Sequence, residues 1–260
     1  MTMVILFVFG AVIGSFLNVV GLRWDSGRGV GGRSSCPSCG KVLGWSELVP
    51  IISFFALRGR CFGCGGKISW QYPVVEILTG LVFATIFNFQ FSILQNLLLI
   101  SVFSIYIVIA IYDFKYKIIP DPLVYFALAL SLLYSLFFIP YSLLDWLAGP
   151  ILFVFFGSIW FFSRGTAMGF GDAKLGLSVG LLLGASQGFS AIVLAFWIGA
   201  LVSVLYLVLN KIGLPAGKAG FLKNAKRLTI KSEVPFAPFI ILGAWISLVS
   251  NLNIFYVTLF

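Results

Sequence analysis

Eight apolar runs, each about as long as a bilayer's hydrocarbon core is thick, leave this chain few folds to choose from. They cover about 3–22, 73–91, 93–113, 122–140, 146–163, 173–188, 189–210 and 235–257. A helix rises about 1.5 Å per residue, so crossing roughly 30 Å takes about 20 residues. Backbone amides in lipid must be satisfied within their own segment, which makes each run a helix. A mean hydropathy of +1.09 with only 10% charged residues excludes a soluble domain of 260 residues. The expected fold is an all-α polytopic membrane protein of about eight transmembrane helices. The first run has no basic stretch before it and no small-residue cleavage site after it, so it reads as a retained helix rather than a signal peptide.

The net charge of +9 invites a nucleic-acid reading, and the distribution of charge argues against it. All 17 Lys and Arg fall in four segments: seven in 23–67, then Lys115 and Lys117, then Arg164 and Lys174, then six in 211–231. With eight helices, these segments share one side, and the opposite loops carry no basic residue. The positive-inside rule makes that side cytoplasmic and puts both termini outside. The expected partner of this charge is the lipid bilayer, as topology signal and headgroup contact, and not a nucleic acid.

Three regions follow: helix one at 1–22, a polar cytoplasmic region at 23–71, and a transmembrane domain at 72–260. The polar region holds all four cysteines, as Cys36-Pro-Ser-Cys39 and Cys61-Phe-Gly-Cys64, 21 residues apart. Each pair is followed by a glycine, Gly40 or Gly65, which lets the chain turn tightly and aim amides at the sulfurs. Four thiolates fit a tetrahedral structural Zn²⁺ site, and iron would fit the same cage. A reducing cytoplasm argues against disulfides. The chain has no His, so the site is all-cysteine, and four protein ligands leave no open position for catalysis. No internal repeat stands out. A second polar stretch, 211–232, mixes Gly, Pro and Lys, and Pro120, Pro122, Pro235 and Pro238 sit near helix ends.

Acidic residues number only eight, and two of them lie at the mouths of apolar runs. Asp113 ends ISVFSIYIVIAIYD, and Asp172 lies in MGFGDAKLGLSVGLLLG. An ionisable group at membrane depth is costly and usually faces a protein-lined interior. Both open from the same side, and Gly169 and Gly171 let the backbone before Asp172 bend and a substrate approach. Brought together, the two carboxylates share one proton, activate a water and polarise a scissile carbonyl. Without His there is no Ser-His-Asp or Cys-His alternative. On position alone, three other readings stand beside catalysis. Asp172 or Asp121 caps a helix, Asp113 pairs with Lys115 or Lys117, or the two relay protons. Asp145, in an outer loop, has no assigned role.

In chain order the motifs are GSFLNVV at 14–20, CPSCG at 36–40, LVPIISFFALRGRCFGCGGKISWQYPVVEILTG at 48–80, Asp113 followed by IIPD at 118–121, and GFGDAK at 169–174. In that full order they resemble those of the bacterial prepilin peptidases, the type IV leader peptidases of the GxGD aspartic type. RWDSGRGVGGRSSC at 23–36 is the one departure, since it lacks the proline expected soon after Arg23. The resemblance implies an aspartic endopeptidase of the bacterial inner membrane with Asp113 and Asp172 as its catalytic pair. It implies cleavage of the leader of type IV prepilins or pseudopilins on the cytoplasmic side. It also implies N-methylation of the new N-terminal residue with S-adenosylmethionine, a function associated with the 23–71 region and carried by no dinucleotide-type motif of this chain. Lys174 and Lys115 are candidates for holding the junction or tuning the pair. Glu76 is read mainly as a structural ion pair with Arg58, Arg60 or Lys67 or as a helix N-terminal charge, and secondarily as a binding residue. Asn18 and Ser15 read as interhelical hydrogen bonds. Two other classes fit the residues without the resemblance: a proton-coupled transporter using the aspartates, and a non-enzymatic assembly scaffold docking through its cysteine knuckles.

Overall fold

The computed structural model describes residues 2–24, 31–88, 91–138, 142–211, 235–252 and 254. Most of the Gly/Pro/Lys stretch at 211–232, and most of the segment between Arg23 and Cys36 up to residue 30, lie outside the described residues. Among the described residues the regular elements are helices, with two isolated antiparallel bridges between them. They are α1 (Thr2–Arg23), a 3₁₀ turn (Trp45–Glu47), α2 (Ile52–Ala56), α3 (Gln71–Asn88), α4 (Ile93–Tyr116), α5 (Asp121–Phe138), α6 (Leu143–Ser163), α7 (Phe170–Lys211) and α8 (Ala237–Ser250). Among the described residues five helices are long and apolar enough to cross a membrane: α1, α4, α5, α6 and Phe170–Leu205 of α7. Gln71–Phe87 and Ala237–Ser250 are apolar but shorter. This is a helical membrane protein.

The helix ends follow ordinary capping chemistry. The Ser92 hydroxyl accepts from the Gln95 N–H and starts α4, and Ser142 does the same for Asp145 in α6. At the other end of α4, Lys117 turns left-handed (φ 57°) and donates its N–H to the Asp113 carbonyl at 2.7 Å. Pro122 and Pro238 lie in the first turns of α5 and α8, where a missing N–H removes no helical bond.

The two runs expected at 173–188 and 189–210 are two helices of α7 that meet at Gly184 rather than at 188. Gly184 has φ 72° and ψ −173°, a region essentially open only to glycine. The break leaves an amide at the start of the second helix without an intrahelical acceptor. Asp145 meets that need: its Oδ1 accepts the Ala185 N–H at 2.9 Å. A residue without an assigned role in the sequence is therefore the cap of a half-helix supplied by another helix.

The chain divides into two compact units, Met1–Phe89 with Tyr206–Ser232, and Gln90–Leu205 with Glu233–Phe260. In the first, α1 and α3 pack face to face through small residues spaced as Gly10-xxx-Gly14. A Cβ on Gly14 would stand 2.8 Å from the Thr79 hydroxyl. Close backbone approach of this kind drives helix pairing in lipid. Asn18 adds a hydrogen bond to the Tyr72 carbonyl across the pair at 3.3 Å, as expected. In the second unit, α4 is central and buries Leu99, Val102, Phe103, Tyr106 and Ile109. The Tyr106 hydroxyl lies 2.8 Å from Ser178 Oγ, which lies 2.9 Å from Ser131 Oγ. This buried polar chain ties α4, α7 and α5 together.

Candidate active site and metal centre

Asp113 occupies the last turn of α4 and Asp172 the first turn of α7, and both side chains are buried. They lie within charge–charge reach of each other. The left-handed turn at Lys117 sends the chain back as Ile118-Ile119-Pro120 into α5, and this return segment packs on the glycines before Asp172. A Cβ on Gly171 would stand 2.7 Å from Ile119 Cβ. GFGD and IIPD are thus two halves of one contact: Gly171 is small because Ile119 sits on it. Gly169 is exposed, its carbonyl accepts the Asp172 N–H at 3.2 Å, and its own N–H faces the Asp172 carboxylate.

The hydrogen bonding of the two carboxylates is unequal. Asp113 Oδ2 accepts the N–H of Ala237 at 3.2 Å. That donor is the first residue of α8, so a helix N-terminus points at this carboxylate. Asp172 Oδ1 is buried with no hydrogen-bond partner. Ala237 is a participant that residue-type reasoning cannot find, because its contribution is a main-chain amide. The only trace in the sequence is the pair Pro235 and Pro238 at the start of the last apolar run.

The lysines divide between the carboxylate pair and other partners. Lys174 Nζ bonds Asp121 Oδ1 at 2.7 Å and lies over the rings of Tyr125 and Phe170, at 5.0 and 5.3 Å. It thereby stitches the start of α7 to the start of α5. Lys115 lies over the Tyr116 ring at 4.6 Å, and the Lys117 charge acts on Asp113.

In the other unit, the four cysteines converge, their sulfurs all within 4.8 Å of one another. Cys36 Sγ and Cys64 Sγ are 3.8 Å apart. A tetrahedron with Zn–S near 2.3 Å has edges of about 3.8 Å, so the cluster has the dimensions of a structural Zn²⁺ site. Gly40 and Gly65 have φ 73° and 68°, and each donates its N–H to the carbonyl of the first cysteine of its pair at 2.9 Å. The N–H groups of Ser38 and then Cys39 pull the Cys36 thiol down to about 6, while the neighbouring thiols, Cys39 first, help push Cys64 up to about 11.

The knuckles also repeat, which the sequence did not betray. Ser35 bridges Val42 and Arg60 bridges Lys67, and Leu43 donates to Ser34 as Ile68 donates to Gly59, both at 2.8 Å. Residues 34–43 and 59–68 are thus two copies of one ten-residue turn, SSCPSCGKVL and GRCFGCGGKI. Only the cysteines and Gly40/Gly65 are shared at equivalent positions, so spacing alone hides the repeat.

Glu76 belongs to the same unit as the cysteines and is buried. In place of the expected arginine or lysine, its Oε2 accepts the Ile51 N–H at 2.7 Å, and its carboxylate also meets the Ser15 hydroxyl. Ile51 is held at φ 63°, ψ −56°, a strained conformation for a β-branched residue.

Helices long enough for a bilayer, a buried carboxylate pair at facing helix ends and a four-cysteine knuckle define a membrane protein with the elements of an aspartic peptidase. Two family models cover most of the chain: the bacterial peptidase A24 N-terminal domain at residues 8–89, and the type IV leader peptidase family at residues 100–204. A protein of Bacillus subtilis named prepilin leader peptidase/N-methyltransferase is 33% identical over 92% of this chain and 91% of its own length. One of the same name from Stutzerimonas stutzeri is 29% identical over 93% and 88%. Another from Myxococcus xanthus is 48% identical over 103 residues, 38% of this chain and 31% of that protein. No solved structure matches significantly. The chain belongs to the type IV leader peptidase family.

Proposed function

We propose that this chain is a membrane aspartic endopeptidase that removes the leader of type IV prepilins or pseudopilins, with Asp113 and Asp172 as its catalytic pair. The observation that carries the reading is the burial of both carboxylates within charge reach, one of them with an unpartnered oxygen. A buried carboxylate oxygen left bare costs of the order of several kcal/mol, and water or a substrate carbonyl satisfies it. The pair holds one proton between them. The ionised partner takes a proton from water while the water oxygen attacks the scissile carbonyl carbon, and the protonated partner hydrogen-bonds the carbonyl oxygen. Collapse of the tetrahedral intermediate breaks the C–N bond, and the leaving amine takes the proton. The Ala237 N–H fixes one Asp113 oxygen and leaves the other for the pair. Exposed Gly169 supplies bare backbone beside Asp172 along which an extended leader junction can lie.

The proposal includes an eight-crossing topology in the bacterial inner membrane, with both termini outside and 23–71 in the cytoplasm. In that topology a structural Zn²⁺ on Cys36, Cys39, Cys61 and Cys64 orders residues 23–71, and 72–260 carries the peptidase. The names of the relatives support a second activity, methylation of the new N-terminal residue with S-adenosylmethionine. Co-expression with a candidate prepilin, read by intact mass, tests both. Wild type should shorten the substrate and add the mass of one methyl group, and Asp113→Asn and Asp172→Asn should leave it full length. Processing by both variants would overturn the dyad.

A further inference from the structure

The cysteine-bearing loop exposes aromatic and aliphatic side chains that a water-facing loop does not need. Trp45 is 83% exposed, Phe62 75%, Ile52 68% and Phe55 55%. Phe62 lines a cleft of about 420 Å³ together with Lys41, Ser46, Glu47, Ser53, Ala56 and Leu57. Phe55 packs against Trp70 at 6.0 Å between ring centres, and Trp70 immediately precedes α3. Exposed aromatic surface thus continues from the start of α3 to α2. Arg33, Arg58, Arg60 and Lys67 are exposed in the same stretch, whose one acid, Glu47, is paired with Lys41 at 3.0 Å.

A small-molecule site is the weaker reading of this cleft. Its charged lining groups, Lys41 and Glu47, are paired with each other, which leaves no free charge to orient a ligand. Exposed Trp and Phe among cations are what a protein presents to the headgroup layer, where aromatic rings sit at the apolar boundary and basic residues meet lipid phosphates. The loop is tethered at both ends to apolar helices, α1 and α3, so that layer is within its reach.

We propose that residues 42–70 dock onto the anionic surface of the membrane the chain spans. Trp45, Phe62, Ile52 and Phe55 seat at headgroup depth, and Arg58, Arg60 and Lys67 contact lipid phosphates. The cysteine knuckles then act as a rigid frame for Phe62, whose ring in the second turn lies against Lys41 Nζ of the first at 5.0 Å. This inference rests on the membrane reading of the helices and stands whether or not the chain is a peptidase.

Photocrosslinking of the full-length, zinc-loaded protein in nanodiscs tests it, with p-benzoylphenylalanine replacing Phe62 or, separately, Trp45. Adducts should be dominated by lipid. Their yield should rise several-fold when phosphatidylglycerol is added to phosphatidylcholine nanodiscs. Arg58→Gln/Arg60→Gln should abolish most of that gain, while the zinc content, measured in parallel, stays unchanged. Adducts to protein only, or no adducts, would overturn the docking. Equal yields with and without phosphatidylglycerol would overturn its assignment to an anionic surface.

Discussion

At the scale of single residues, the two aspartates and Lys174 make opposite predictions. Asp113→Asn keeps an acceptor for the Ala237 N–H, and Asp172→Asn is nearly isosteric, so both variants should fold and insert as wild type does. Cleavage should nevertheless fall by about 10²–10⁴-fold, the range for a lost general acid or base. A residual rate near wild type in either would mean that the carboxylates only cap their helices. Lys174 is spent on Asp121 and two aromatic rings, so Lys174→Gln should cost about 1 kcal/mol or less and leave cleavage largely intact. A double-mutant cycle with Asp121→Asn should recover a coupling of similar size. Glu47 supplies the pH dependence outside the membrane. The Gly44 N–H and then Lys41 hold its carboxyl below the usual glutamate range. Because the folded value is lowered, its contribution to loop stability is present above that range and lost as pH falls through the lowered value. Hydrogen exchange of residues 41–48 should accelerate on acidification in wild type, with a smaller pH response in Glu47→Gln.

At the scale of elements, the break in α7 and the twin knuckles are the features most open to test. Gly184→Ala forces a left-handed-side φ on alanine and sets its Cβ 2.8 Å from Asp145 Oδ1, so it should destabilise by more than about 1 kcal/mol. Asp145→Ala removes the cap and should cost about 1–2 kcal/mol, with faster exchange confined to the turn after Gly184. If neither change moves the melting temperature, the break is not held by this contact. Chelation should release both knuckles together, because the sulfurs of each complete the tetrahedron of the other. Exchange at 34–43 and 59–68 should rise in step, while that of α4 to α6 stays put. These elements also mark how far the residues could be read unaided. The long helices were legible because lipid imposes length and hydropathy on them, and the cysteine cluster because thiolate spacing is nearly unambiguous. The break was placed four residues late because GASQG carries no signal of its own (the determinant is a carboxylate from a different helix). The Lys174–Asp121 contact carries no sequence signal for the same reason: the two lie 53 residues apart.

At the scale of the whole molecule, Asp145 and Ala185 impose an order on assembly. The chain leaves the ribosome N-terminus first, and Asp145 precedes Ala185 by 40 residues. The helix carrying the acceptor is therefore available before the half-helix that needs it has been made. Were the order reversed, the turn at Gly184 would form before its acceptor had been made. The polypeptide thus carries in its reading direction part of the order in which this turn is closed. Moving the segment that contains Asp145 behind α8 by circular permutation should lower membrane insertion of the second half of α7, even though every contact of the finished structure would be kept.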